Sequence, residues 1–166
     1  MASTITASAL TVTITESITL NGSSQGGTNT LSIAGVDEVY KRIITCPANS
    51  ETRIVDFHSS VADAILTPLD VQDVVYIRVT KLDDTNSLTL SLQIDVGEDD
   101  SAADESASLL IEAGKSFIMG VPNDGIGSSG TGDTGANLVT DLVDLESLVV
   151  FTGGAAIDVE VFIASV

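Results

Sequence analysis

An all-β chain folded as an antiparallel β-sandwich of jelly-roll type, about ten strands with at most one short helix, is what this sequence predicts. Three observations carry the prediction. Apolar residues recur at every second position through most of the chain, the pattern of a strand with one buried face. Gly, Asn, Asp and Pro break these runs at short intervals, as the turns of a sandwich do. No long stretch with helical spacing alternates with the strands, so a parallel α/β sheet is excluded. The 166 residues suit one core, and 43% hydrophobic content with only 4% aromatic fits thin β layers filled by Val, Ile, Leu and Ala. The domain is expected over residues 9–166, preceded by a Ser/Thr/Ala-rich flexible arm over residues 1–8.

In chain order, Leu10, Val12, Ile14, Ile18 and Leu20 point one way and threonines the other, a long strand bent near Glu16. Asn21-Gly22 is a turn signal and leads to a short strand around Thr30–Ile33. Val39–Cys46 reads as a strand ending at Pro47, with Cys46 as a small buried hydrophobe. Strand-like segments follow at Thr52–Phe57, Val75–Ile94, Ser108–Ile111, Ser116–Val121, Leu148–Phe151 and Ala156–Ile163, while Leu138–Leu145 has the spacing of a short helix.

The stretch from Val74 to Asp95 reads as a hairpin turning at Asp83-Asp84-Thr85-Asn86. That register sets Lys81 opposite Leu88, Val79 opposite Leu90, Ile77 opposite Leu92 and Val75 opposite Ile94, so the apolar faces coincide. The other face combines Tyr76, Arg78 and Thr80 with Thr89, Ser91 and Gln93. Only Arg78 is charged there, which makes these six residues the expected interface in so acidic a protein.

The formal charge is −18, and residues 82–166 hold 16 acids against 1 base. Such a field repels phosphate, and no Lys/Arg cluster beyond Lys41-Arg42 opposes it, so nucleic acid and anionic membrane surfaces are not expected partners. The first residues have neither a basic segment nor a continuous apolar run, so a conventional export signal is not expected.

Motifs that carry chemistry are weak. Gly125-Ile126-Gly127-Ser128-Ser129-Gly130 fits a dinucleotide pattern, but Thr-Gly-Asp-Thr-Gly follows it where a helix must open. Gly114-Lys115-Ser116 lacks the first phosphate-loop glycine, since Leu109 stands there, and reads as a turn. His58 is the single histidine and Cys46 the single cysteine, which removes multi-histidine and thiolate zinc sites. No nucleophile, no catalytic residue and no cofactor site are expected, and the chain is expected not to be an enzyme. Calcium is the one ligand the composition leaves open, through the loop carboxylates Asp83, Asp84, Glu98, Asp99, Asp100, Asp104 and Glu105.

The segments ITESITLNG (14–22), VDEVYKRIITCP (36–47), VYIRVTKLDDTNSLTLSL (75–92) and LIEAGKSFIMG (110–120) resemble small virion structural proteins of tailed bacteriophages, notably cyanobacterial and marine ones: capsid decoration or cement proteins and related accessory proteins. The resemblance spans about residues 10–120 and contains no catalytic signature. It implies a β-sandwich or jelly roll, a homo-oligomer, often a trimer, and attachment to the major capsid protein or other virion proteins. It further implies synthesis in the host cytoplasm and residence on the outer capsid surface. Tail, baseplate or head-fibre accessory proteins share these features, and an acidic extracellular adhesive or glycan-binding β-sandwich is the reading from another class. Strand addition by the N-terminal arm is an expected means of attachment. Deleting residues 1–8 should leave the melting transition unchanged and weaken binding to capsids; unchanged occupancy on purified particles would exclude that role for the arm.

Overall fold

The computed structural model describes residues 6–57, 69–95, 105–126 and 142–166. Twelve strands are present among them: β1 Ser8–Thr15, β2 Thr19–Leu20, β3 Ser23–Ser24, β4 Thr28–Val36, β5 Glu38–Cys46, β6 Glu51–Asp56, β7 Val74–Lys81, β8 Leu88–Asp95, β9 Glu105–Ile111, β10 Ser116–Met119, β11 Asp144–Phe151 and β12 Ile157–Ser165. One 3₁₀ turn, Val71–Asp73, leads into β7 and is capped by the Asp70 carboxylate, which accepts from the Gln72 N–H at 3.0 Å.

Two four-stranded antiparallel sheets form the body, in the orders β10-β7-β12-β5 and β6-β11-β8-β9. Relabelled B to I in chain order, β5 to β12 lie B-I-D-G and C-H-E-F, which is a jelly roll. The strands β7 and β12 place Ile77, Val79, Val159, Val161 and Ile163 inward, and β8 and β11 answer with Leu88, Leu90, Ile94, Leu145, Leu148 and Val150; all are essentially inaccessible to solvent. Each such side chain contributes about 1.5–3 kcal/mol on burial, and together they make the interlayer the main source of stability. Cys46 lies in the same core, and desolvation pushes its thiol above the ordinary range.

The hairpin expected between β7 and β8 does not form. Val79 pairs with Phe117 and Val161, whereas Leu90 pairs with Leu109 and Val150, so the two strands belong to opposite sheets. From Ile77 onward the alternating patterns were read to the right faces but to the wrong neighbours; Val75, expected inward, packs instead in the outer-face cluster, because a register shift beside it turns Val74 into the core. Matched apolar rows satisfy a hairpin, where they lie side by side, and equally a crossing between sheets, where they face each other across the core about 10 Å apart. Two further expectations change. Val143 bridges Ile126 and Asp144-Leu145 open β11, so the described part of the expected helix is extended chain. The first strand ends at Thr15, where the Glu16 N–H donates to the Gly27 carbonyl at 2.8 Å.

Outside the body, β1 and β4 make a two-stranded sheet, and its distal end closes through β2 and β3 at Asn21-Gly22, both with positive φ, the requirement of a type I′ turn. Leu10, Val12 and Ile33 at its base pack with Val36, Tyr76, Ala164 and Phe162 in a second, smaller cluster on the outer face of the β10-β7-β12-β5 sheet. Gly26 packs so closely that a Cβ there would sit 2.0 Å from the Glu16 carbonyl oxygen. The expected N-terminal arm is described only from Thr6, and Ser8 already belongs to β1.

Leu90→Ala should lower the free energy of unfolding by about 2–5 kcal/mol in urea titration, because the rigid facing sheet leaves a cavity. A loss within 1 kcal/mol, on the order of an exposed substitution, would mean that the two sheets do not face each other at this row.

Candidate interaction surface

The accessible surfaces of the described residues are the outer faces of the two sheets, the corner between β7 and β8, and the projecting hairpin. The corner is organised by one carboxylate. Asp83 Oδ1 accepts from the Thr85 N–H at 2.7 Å, the Thr85 hydroxyl at 3.0 Å, the Asn86 N–H at 2.9 Å and Lys81 Nζ at 3.2 Å, and Oδ2 accepts from Asn86 Nδ2 at 3.3 Å. These donors, the two backbone N–H groups foremost, hold the Asp83 carboxyl well below the usual aspartate range. Lys81 points inward with its whole stem buried, and its ammonium also donates to the Asp83 carbonyl. Around them, Leu82 N–H donates to the Asp158 carbonyl at 3.0 Å and Gly114 N–H to the Asp83 carbonyl at 3.2 Å, tying the corner to the neighbouring loops.

Of the carboxylates considered for calcium, Asp83 is thereby committed to the turn, Asp84 is exposed beside it, and Glu105 opens β9 opposite Ile94. Glu98, Asp99, Asp100 and Asp104 lie outside the described residues, as does His58. Among the described residues no group of three or more His, Cys, Asp or Glu is placed to hold a metal ion, and no helix is long and apolar enough to cross a membrane.

The six-residue interface expected on the supposed hairpin is divided between opposite sides of the sandwich, because β7 and β8 are in different sheets. Tyr76 is buried beneath the base of the β1–β4 hairpin, its ring edge-on to Phe162 with centroids 6.0 Å apart. Arg78 ion-pairs with Glu160 and donates to Thr80, and its guanidinium lies 5.9 Å from the Phe162 ring centroid. The Thr80 and Ser116 hydroxyls are 2.8 Å apart, and Lys41 Nζ reaches the other Glu160 oxygen at 3.3 Å. Ser116, Thr80, Arg78, Glu160 and Lys41 therefore form a polar seam across all four strands of this sheet. The hydrogen bond from Arg78, more than any other contact, lowers the Glu160 carboxyl from its ordinary range. Arg78 is thus part of the scaffold; Arg78→Glu would set two carboxylates together and disturb the sheet before it disturbed any docking.

Thr89, Ser91 and Gln93 lie on the other sheet. Register places them in rows, Glu51–Phe151–Thr89–Leu110, then Arg53–Val149–Ser91–Ser108, then Asp56–Ser147–Gln93–Ser106. Gln93 Nε2 donates to Ser91 Oγ at 2.8 Å, and the Ser108 and Ser91 hydroxyls are 3.1 Å apart. A shallow depression of about 600 Å³ runs along this face. Phe151 and Leu110 are exposed at one end of this face.

The larger apolar exposure was not singled out from sequence. From Thr13 to Ser32 every residue except Gly26 is exposed, including Ile14, Ile18, Leu20 and Leu31, and β5 beside the hairpin base exposes Val39 and Ile43. The alternation in β1 carried the information; without knowing that, among the described residues, β4 pairs with β1 alone, nothing in the pattern separates a core strand from a projecting one.

No family model matches the chain, and no curated protein matches it. Among solved structures it is similar to a chain from Bacillus endospore appendages, described as a novel family of disulfide-linked pili, at 11% identity and a TM-score of 0.37, over 78% of this chain and 86% of that one. A likeness of that strength carries no functional weight.

Because Asp83 and Glu160 bind protons less readily folded than unfolded, the stability they supply is complete above the ordinary carboxylate range, about pH 4–4.5, and is lost as the pH falls below it toward their depressed native values. Asp83→Asn should therefore be less stable than wild type in urea at neutral pH, with a gap that closes below about pH 4. A gap independent of pH would show that the Asp83 charge does not stabilise the corner.

Proposed function

We propose that this chain is a non-enzymatic structural protein of a tailed-phage virion, seated on the outside of the capsid and bound to the major capsid protein. Three things support the reading. The sequence segments at 14–22, 36–47, 75–92 and 110–120 resemble decoration and cement proteins. The fold is a jelly roll, an architecture that capsid proteins use, although lectins and cupins use it too, so fold by itself does not choose among them. The charge carries the choice of side: at −18, the chain would be repelled by packaged nucleic acid and is suited to the outer surface, where like charge also keeps particles apart.

The test is direct. Purified chain mixed with capsids lacking it should co-sediment to saturation, and antibody against the chain should label heads of intact particles in electron microscopy. Label confined to tails or baseplates, or no co-sedimentation at any salt concentration, would overturn the capsid assignment.

A further inference from the structure

The β1–β4 hairpin presents an unusual combination of features. One face of it is a hydroxyl ladder, with Thr13 paired to Thr30 and Thr15 to Thr28, their hydroxyls 3.4 Å apart in each pair. Register puts Leu10, Val12, Ile14, Leu31 and Ile33 on the other face. Among the described residues, Tyr76, Ala164 and Phe162 cover only the base of that apolar face; further out, Ile14 is 49% and Leu31 54% exposed, and Ile18 and Leu20 at the tip are similarly open. A two-stranded sheet is marginally stable alone in water. Among the described residues both of its edges lack a further strand, as does the outer edge of β5.

Charge says what can cover it. Between Thr6 and Val36 the single charged residue is Glu16. Residues 1–46 hold 3 acids and 2 bases, a net of −1, whereas residues 47–166 hold 21 acids and 4 bases, a net of −17. Two copies of so acidic a protein repel each other through almost any surface except this one. A strongly basic partner would be drawn to the remainder of the molecule and would gain little from a segment with one carboxylate. The same chain also carries a matching receiver: Val39 and Ile43, 54% and 62% exposed on the outer face of β5, flank Lys41, whose ammonium is engaged by Glu160.

We propose that the hairpin is an assembly arm that packs its uncovered apolar face, carrying Ile14 and Leu31, together with the exposed tip residues Ile18 and Leu20, onto the Val39–Ile43 face of β5 in a second copy of this chain. Each copy offers both an arm and a receiving face, so the contact is between copies of one protein and does not depend on a capsid. The inference stands apart from the virion reading: a chain that assembles but ignores capsids would overturn that reading alone, and a chain that binds capsids as a monomer would overturn this one alone.

Sedimentation velocity of the full chain over a range of concentrations tests it. Wild type should form a discrete oligomer, and raising the salt from about 0.01 M to about 1 M, which shortens the screening length from about 30 Å to about 3 Å, should tighten it by relieving the repulsion between acidic bodies. Leu31→Glu and Ile43→Gln should each weaken association by about tenfold or more with melting temperatures near wild type, since both side chains are exposed and Gln adds no charge beside Glu160, the cross-strand neighbour of Ile43. Thr13→Glu, on the hydroxyl face of the same arm, should assemble as wild type does. A wild-type monomer at all concentrations, an oligomer indifferent to Ile43→Gln, or equal disruption by Thr13→Glu would each overturn the proposal. Dissociation with rising salt would point to charged contacts in place of apolar ones and would overturn it too.

Discussion

The Asp83 carboxylate is the point on which the layering depends. It gathers two backbone N–H groups, a hydroxyl and a buried ammonium within six residues, and so lets the chain leave one sheet at Lys81 and enter the other at Leu88. The apolar rows of Val74–Asp95 suit a flat hairpin almost as well; the chain instead crosses between the sheets at this corner, and the neighbours of β7 and β8 hold each strand in its own layer. With the corner, those rows become the two walls of the core. The remaining strands then take places beside β7 and β8 that the jelly-roll order requires. A buried lysine is ordinarily a liability; here its stem fills the core edge while its head satisfies the turn that created the burial.

Much of the fold was legible because alternation reports which side of a strand is buried. Ile77, Val79, Leu88, Leu90, Ile157, Val159, Val161 and Ile163 all point inward as the pattern requires, and Cys46 is buried as its apolar setting suggests. What alternation does not encode is the identity of the neighbouring strand. The six-residue face built on an assumed hairpin therefore came apart: Tyr76 went under the β1–β4 base, Arg78 and Thr80 into a polar seam, and Thr89, Ser91 and Gln93 to the far side. The Asn21-Gly22 turn was readable because its backbone needs positive φ, whereas the close approach of Gly26 to Glu16 was not, because it depends on a contact across the hairpin.

The same limit applies to the candidate surface. Leu10, Val12 and Ile14 look alike in sequence, yet the first two are partly covered and the third is open. The distinction comes from the length of the body, which stops short of the hairpin's distal half. Charge, by contrast, is a property of the sequence that survives folding unchanged. The division into a nearly neutral first 46 residues and an acidic remainder is visible without coordinates, and the fold gives it spatial meaning by lifting much of the neutral segment off the body.

The single residue between β4 and β5 has a mechanical meaning. Asp37 joins Thr28–Val36 to Glu38–Cys46 with almost no break, and its N–H donates to the Ser165 carbonyl at 3.1 Å. A pull on the hairpin reaches the first residues of β5 through Asp37, past the irregularity in β4 at Gly35, which has positive φ, and its component along β5 loads that strand lengthwise. There it meets nine residue pairs with β12, from Glu38–Ser165 to Cys46–Ile157, all loaded together in shear, whereas a force across the strands would peel them one at a time. Tension applied at the arm is spread over the full length of the pairing between β5 and β12, and the sandwich is anchored where the arm would tug.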